Sequence, residues 1–169
     1  MSEVVKTLSL DEVGDLARRA LAACGAHGQQ LDVAVQSVID AECDGIRTVG
    51  LGYLPLYCGH LQVGKINRDA APQHQQIAPS VLRSQANSGF AHAAYVEAED
   101  DFYALAKSQG IAALSIVDSY SAGVVGWFVQ RMAAAGLIGI GFANSPSAVA
   151  PAPGPHLASV RSHPNSEHW

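Results

Sequence analysis

Charge is scarce in this 169-residue chain: Asp, Glu, Lys and Arg make up 15% of it, against 49% apolar residues. Wholesale disorder is excluded, because a disordered chain needs the opposite balance. No Lys/Arg run occurs and the formal net charge is -5, so nothing offers the basic stripe that a nucleic acid requires. No apolar run is long enough to span a bilayer, and residues 1–15 hold no apolar signal core. The simplest expectation is a soluble, cytoplasmic protein with no membrane partner. Cysteine is sparse as well. Cys24, Cys43 and Cys58 form neither a CxxC pair nor a zinc spacing, so free buried thiols are expected. The histidines share no metal spacing, and no metal site is expected. Ser119 and Ser121 lack His–Asp partners in their context, which argues against a hydrolase triad. Internal repeats are absent.

The chain is long enough to bury a real core, and residues 110–144 organise it. Residues 111–117 form an apolar run of strand length. Asp118, Ser119 and Ser121 interrupt it with turn formers. Val125, Phe128, Val129 and Met132 follow at helical spacing, Gly136 closes that helix, and residues 137–142 read as a second apolar strand. A parallel pair joined by one helix is the default for such a unit. Ligand crevices of open α/β sheets lie beyond the carboxyl ends of strands, so residues 118–126 should line any site.

Upstream, Ser9-Leu10-Asp11-Glu12 reads as a capping box opening a helix with Val13, Leu16, Ala17, Ala20, Leu21 and Cys24 on one face. A second helix spans about residues 29–43, with Leu31, Val35, Val38 and Ile39 as its face, and pairs with the first as a hairpin. Residues 48–64 read as a third helix that kinks at Pro55 or starts near Leu54. Residues 68–79 are polar with a proline near each end and read as a linker. Residues 81–85 are a strand and residues 91–108 a long helix. Tyr95, Ala98, Phe102 and Leu105 form that helix's apolar stripe, while Glu97, Glu99, Asp100 and Asp101 read as a solvated face. His60 and His92 read as polar surface or cap residues. The expected fold is α/β: a helical N-terminal domain (1–67), a linker (68–80) and a partial mixed sheet layered with helices (81–144). A loose tail (145–169) follows.

Residues 41–67, AECDGIRTVGLGYLPLYCGHLQVGKIN, resemble the malate/L-lactate dehydrogenase family, the type 2 group unrelated to Rossmann enzymes. That family's pattern, roughly ADxxGxDSHGxxRLxxYxxxLxxGxIN, fits without a gap. Ala41, Gly45, Gly50, Leu54, Tyr57, Leu61, Gly64, Ile66 and Asn67 match it. Further on, Asp118-Ser119 with Gly123 and Gly126 resembles NSxHxGxxG, and Asn144-Ser145 with Val149-Ala150-Pro151 matches NSxxxVAP. VRSHP at 160–164 sits where LGTNP is expected. The resemblance stops near the midpoint of a family member, which implies an N-terminal half. It implies NAD or NADP as cofactor, a small 2-oxo acid or cyclic imine as substrate, and a homodimer. Ser119, Tyr120, Ser121, Ala122, Gly123, Val124 and Val125 would form the cofactor loop. Tyr53 and Ser162 would sit at the substrate positions, and Thr48 would keep the catalytic hydroxyl.

The departures from the family pattern fall on the chemistry. Hydride transfer to a carbonyl or imine needs an acid and a carboxylate clamp. The family's acid His is Val49, its clamp Arg is Tyr53, and its cofactor His is Ser121. A catalytic Asp expected by resemblance falls beyond residue 169. Arg47 replaces a family Asp and reads either as a carboxylate ligand or as a surface arginine. Tyr120 reads either as a stacking partner for nicotinamide or adenine or as a dimer-interface residue. Two functions follow: an NAD(P)-dependent oxidoreductase with impaired catalysis, or a non-catalytic remnant or interaction subunit.

Overall fold

The computed structural model describes residues 7–144; Ser162 and the rest of the expected tail at 145–169 lie outside the described residues. The fold is α/β, with five α-helices and a three-stranded mixed sheet among the described residues. Helix α1 (Leu10–Ala23) opens on the capping box: the Glu12 amide donates to Ser9 Oγ, and Ser9's amide donates to the Glu12 carboxylate. It packs against α2 (Gly28–Cys43), and α3 (Leu54–Gln62) starts where Pro55 falls in its first turn, the position that needs no N–H. Val13, Ala17, Leu21, Val35, Val38, Leu54, Tyr57 and Leu61 close a helical core. Cys43 is exposed, not buried as expected, while Cys24 and Cys58 are half-buried.

The expected linker instead contains a strand, β1 (Gln73–Ala78), paired antiparallel with β2 (Val81–Gln85). Its polarity hid it. As an edge strand it needs no continuous apolar face, and Pro72 and Pro79 flank it without interrupting the ladder. β2 pairs parallel with β3 (Ala113–Val117), and α4 (Ala91–Gln109) is the crossover. The parallel pair is therefore β2–β3, not β3 with residues 137–142. Helix α5 (Val125–Ala134) follows β3. Leu82, Tyr95, Phe102, Trp127 and Phe128 make a second core between the sheet, α4 and α5.

Residues 137–142 form no ladder among the described residues. Their glycines turn towards α5. A Cβ on Gly141 would stand 2.8 Å from Val125 Cγ1, and one on Gly139 would run into Met132. The bulky side chains point outward: Ile138, Ile140 and Phe142 are 101%, 74% and 92% exposed. An extended apolar segment without a partner is prone to association. Sedimentation velocity is expected to show concentration-dependent self-association that Ile140→Lys reduces. A monodisperse monomer at high concentration would contradict this.

Half of the acidic face of α4 is not solvated. Glu97 and Glu99 are half-buried. Glu99 takes a two-point contact from Arg131 of α5, and the Tyr103 hydroxyl donates to it at 2.6 Å. His74 of β1 bridges Glu97 (2.7 Å) and Asp101 (2.9 Å), which pins the edge strand to α4. Those bonds to Glu97 and Asp101 raise the His74 pKa above its usual value. The folded state therefore holds the His74 proton more tightly than the unfolded chain does. The contribution is fully present below about pH 6.5 and is lost as pH rises through the higher folded value. Unfolding midpoints are expected to fall as pH rises above about 6.5 and through the higher folded value. His74→Gln should flatten that slope, and an unchanged slope would show the clamp to be inert.

Candidate functional site

The loop after β3 leaves the sheet at its carboxyl end and is laced to the turn after β2. The Ser88 amide donates to Asp118 O (2.7 Å) and the Tyr120 amide to Gly89 O (2.9 Å). The Asp118 carboxylate accepts from Ser88 Oγ and Gln85 Nε2. Asp118 holds a left-handed φ of 51° at this crossing, which an Asp side chain tolerates because it can bond locally. Gly89 has no space for a Cβ, which would press on Ala70 and the Gln30 amide. Gln30 is buried and bonds Ala70 O and the Phe90 amide, so the helical layer holds the start of α4.

Beyond the crossing, Tyr120 turns into the helical core. Its ring meets Tyr57, Phe90 and His60 edge-on, and its hydroxyl hydrogen-bonds His60 Nδ1. Burial, then the neighbouring Tyr53 and Tyr57 hydroxyls, raise the Tyr120 pKa. Tyr120 is thus a packed anchor of the loop, and His60 is its partner instead of a plain surface residue. Gly123 and Val124 then lead into α5, which begins without a side-chain cap. The Trp127 amide in its first turn donates back to Val124 O at 3.0 Å.

A small cleft opens between these elements, lined by Ser37, Asp40, Asp44, Val49, Tyr57, His92, Gly123, Val124 and Trp127. It holds about 10 Å³ of open space, room for roughly one water. Hydrogen bonds from Trp127 Nε1 to Asp40 (2.8 Å) and from Gln130 to Asp44 (3.1 Å) tie α5 to α2 across it. His92, in the first turn of α4, is not a surface or cap residue: it is 1% exposed, stacked on Phe128 and edge-on to Trp127. Its Nδ1 has no hydrogen-bond partner among the described residues. Burial lowers its pKa to about 4, so the imidazole is neutral at physiological pH. The Tyr57 pKa is raised to about 12, first by burial and then by Tyr53, so its hydroxyl stays protonated.

Of the residues expected at a site, Thr48 lies exposed on the turn before α3, while its neighbour Val49 faces the cleft. Tyr53 is half-buried with its ring 5.0 Å from that of Tyr57. Ser119 is exposed. Ser121 Oγ accepts the Gly123 amide at 3.2 Å, and Ala122 packs on the second core. Gly123 and Val124 line the cleft, and Val125 begins α5. The sequence reading missed His92, Tyr57, Asp40 and Trp127. The available signal was Tyr57 itself, which the family pattern keeps. For His92 no local signal existed, because the residues that bury it come from the next helix. Among the described residues no group of three His, Cys, Asp or Glu side chains is placed to hold a metal.

The cleft, with room for about one water, does not admit a nicotinamide ring, and its residues are poorly suited to proton transfer. A Cβ on Gly123 would stand 3.3 Å from His92 Cε1 and 3.4 Å from Nε2, while the ring's other nitrogen, Nδ1, is buried without a partner among the described residues. Val49 offers no proton, the His92 ring holds no spare one at neutral pH, and Tyr57 is a weak acid.

A family model for malate/L-lactate dehydrogenase matches residues 8–157. A (2R)-3-sulfolactate dehydrogenase (NADP(+)) of Chromohalobacter salexigens is 37% identical over 146 residues, covering 86% of this chain and 44% of that protein. A Delta(1)-pyrroline-2-carboxylate reductase of Ancylobacter novellus is 36% identical over 154 residues, covering 91% and 45%. The chain thus spans less than half the length of these relatives. Among solved structures, malate dehydrogenase from Pyrococcus horikoshii OT3 superposes with a TM-score of 0.71 at 18% identity. That match covers 80% of this chain and 39% of that one, and it shows the fold alone.

Proposed function

The chain belongs to the malate/L-lactate dehydrogenase family, and from that premise we propose that it forms the nicotinamide-binding face of an impaired oxidoreductase. The substrate class is a small 2-oxo or 2-hydroxy acid or a cyclic imino acid, as the names of its relatives suggest. The cofactor is NAD or NADP, and the setting is cytoplasmic. The reading is carried by the family match over residues 8–157 and by the loop at the carboxyl end of β3, whose Gly123 and Val124 lie beside Val49 and Tyr57. Residues Ser119, Tyr120, Ser121, Ala122, Gly123, Val124 and Val125 would hold the cofactor, with Tyr120 anchoring the loop. Tyr53 and Ser162 would offer hydroxyls to the substrate carboxylate, and Thr48 a hydroxyl near the reacting carbon.

When bound, the nicotinamide supplies the hydride. The chain's own residues bind, orient and exclude water, and none at position 49 delivers a proton. A titration with NADH and NADPH, followed by fluorescence of the reduced nicotinamide, tests the reading. Saturable enhancement with one of them is the expected result. If neither nucleotide binds, the reading is wrong.

Val49 and the exposed Ile138, Ile140 and Phe142 favour a second reading, a non-catalytic interaction subunit or homo-oligomer. Self-association without nucleotide binding would select it.

A further inference from the structure

The three cysteines are widely spaced in the sequence, but the fold brings two of them together. Cys24 caps the end of α1, and Cys58 lies in the second turn of α3. Both are half-buried, and both pack against the helical core. We infer that Cys24 and Cys58 are a redox pair that a low-molecular-weight disulfide such as glutathione disulfide closes to an intramolecular bridge, locking α3 onto α1.

The packing carries it. Helices α1 and α3 lie against each other. Gln62 follows Cys58 by four residues, so the two side chains share one face of α3. Gln62 Nε2 donates to Cys24 Sγ at 3.7 Å, which sets that face against Cys24. The Cys58 thiol itself hydrogen-bonds Cys24. Two sulfurs in hydrogen-bond contact reach the about 2.05 Å of a disulfide by side-chain rotation and a small backbone shift. Cys24 stands at a helix end, where the backbone gives more readily than in mid-helix. The bridge would close a loop of about 35 residues and so constrain the unfolded chain. Helix α3 also carries Tyr57 and His60, the partners of Tyr120, so the lock would fix the helix against which the loop after β3 is anchored.

The chemistry sets the order of events. Burial, then the hydrogen bond to Cys24, push the Cys58 pKa up to about 11, so Cys58 keeps its proton at neutral pH and reacts second. The Cys24 thiolate attacks one sulfur of glutathione disulfide. That S–S bond breaks, and the first glutathione leaves as a thiolate that takes up a proton. Cys58 then gives its proton to solvent and attacks the Cys24 sulfur of the mixed disulfide, expelling the second glutathione. The two protein thiols lose two electrons and two protons, and glutathione disulfide is reduced to two thiols.

The test uses the full chain and Cys43→Ser, which removes the exposed third thiol, with glutathione disulfide as oxidant and dithiothreitol as reductant. In Cys43→Ser the intact mass should fall by two hydrogens. In the unmodified chain, peptide mapping should find Cys24 joined to Cys58. The bridged form should unfold about 10 °C above the reduced form, a shift that dithiothreitol abolishes. Cys58→Ser, once its fold is verified by circular dichroism, should stop at a glutathione adduct on Cys24. Titration against glutathione buffers should give a bridge-forming constant at least tenfold larger in buffer than in urea, because the native fold holds the sulfurs together. Glutathione adducts without a bridge, a bridge that involves Cys43, or equal constants in buffer and urea would each overturn the inference and leave the two thiols as packed neighbours only.

Discussion

The unmodified chain is expected to show no more than trace reductase activity with pyruvate, oxaloacetate or a cyclic imino acid. By the resemblance, Val49 stands where the family pattern has an acid histidine, and it lines the cleft. Loss of a general acid costs about 10²–10⁴ in rate. Tyr53 stands in for the clamp arginine and offers a hydroxyl without charge; a charged hydrogen bond contributes roughly 1.5–3 kcal/mol. The two losses act on one transition state, so they need not add. The remaining proton-bearing groups do not compensate, because His92 is neutral at physiological pH and Tyr57 holds its proton to about pH 12. Val49→His with Tyr53→Arg should leave this 169-residue chain at trace level, since it spans less than half the length of its relatives. A steady-state assay of NADPH absorbance with both proteins decides the matter. Turnover of the unmodified chain at about 1–10³ s⁻¹ would show that another group supplies the proton, with Thr48 relaying from water the first place to look.

The second large effect is on stability. Phe90 precedes α4, yet its ring is 1% exposed and belongs to the helical core, edge-on to Tyr57 at 5.3 Å and to Tyr120 at 6.0 Å. It is the point at which the α/β part inserts into the helical part. Phe90→Ala is expected to cost about 3–5 kcal/mol, a large share of the roughly 5–15 kcal/mol that a domain has. Urea unfolding should show a single transition at a much lower midpoint. A loss below about 1 kcal/mol would mean that the two parts do not share this core.

Local chemistry was legible in the sequence where it decides structure by itself. Ser9 and Glu12 fixed the start of α1, and Pro55 fixed that of α3, because caps and a first-turn proline act within a few residues. β1 escaped because an edge strand of Gln and His residues carries no period to read; its ladder with β2 and the His74 contacts with two carboxylates of α4 hold it in place. Residues 137–142 have every local mark of a strand, but a ladder needs a partner. Here Gly139 and Gly141 turn the segment onto α5 instead. In the site, the glycine loop was visible through its spacing. His92 was not, since its burial depends on Trp127 and Phe128, which the chain reaches only after another strand.

The central claim is the proposal that residues 119–125 take part in binding a nicotinamide cofactor while Val49 offers no proton. Saturation-transfer NMR on the full chain with NADPH and NADH, repeated after adding a cyclic imino acid, tests both halves in one sample. Irradiating the chain's methyl protons should transfer saturation to the nicotinamide ring protons of one dinucleotide, with Val49 and Val124 as the nearest cleft methyls. The reduced ring signals should then persist over hours of incubation with the imino acid. No transfer to the nicotinamide protons of either dinucleotide, or their rapid loss to the oxidised form, would contradict the account.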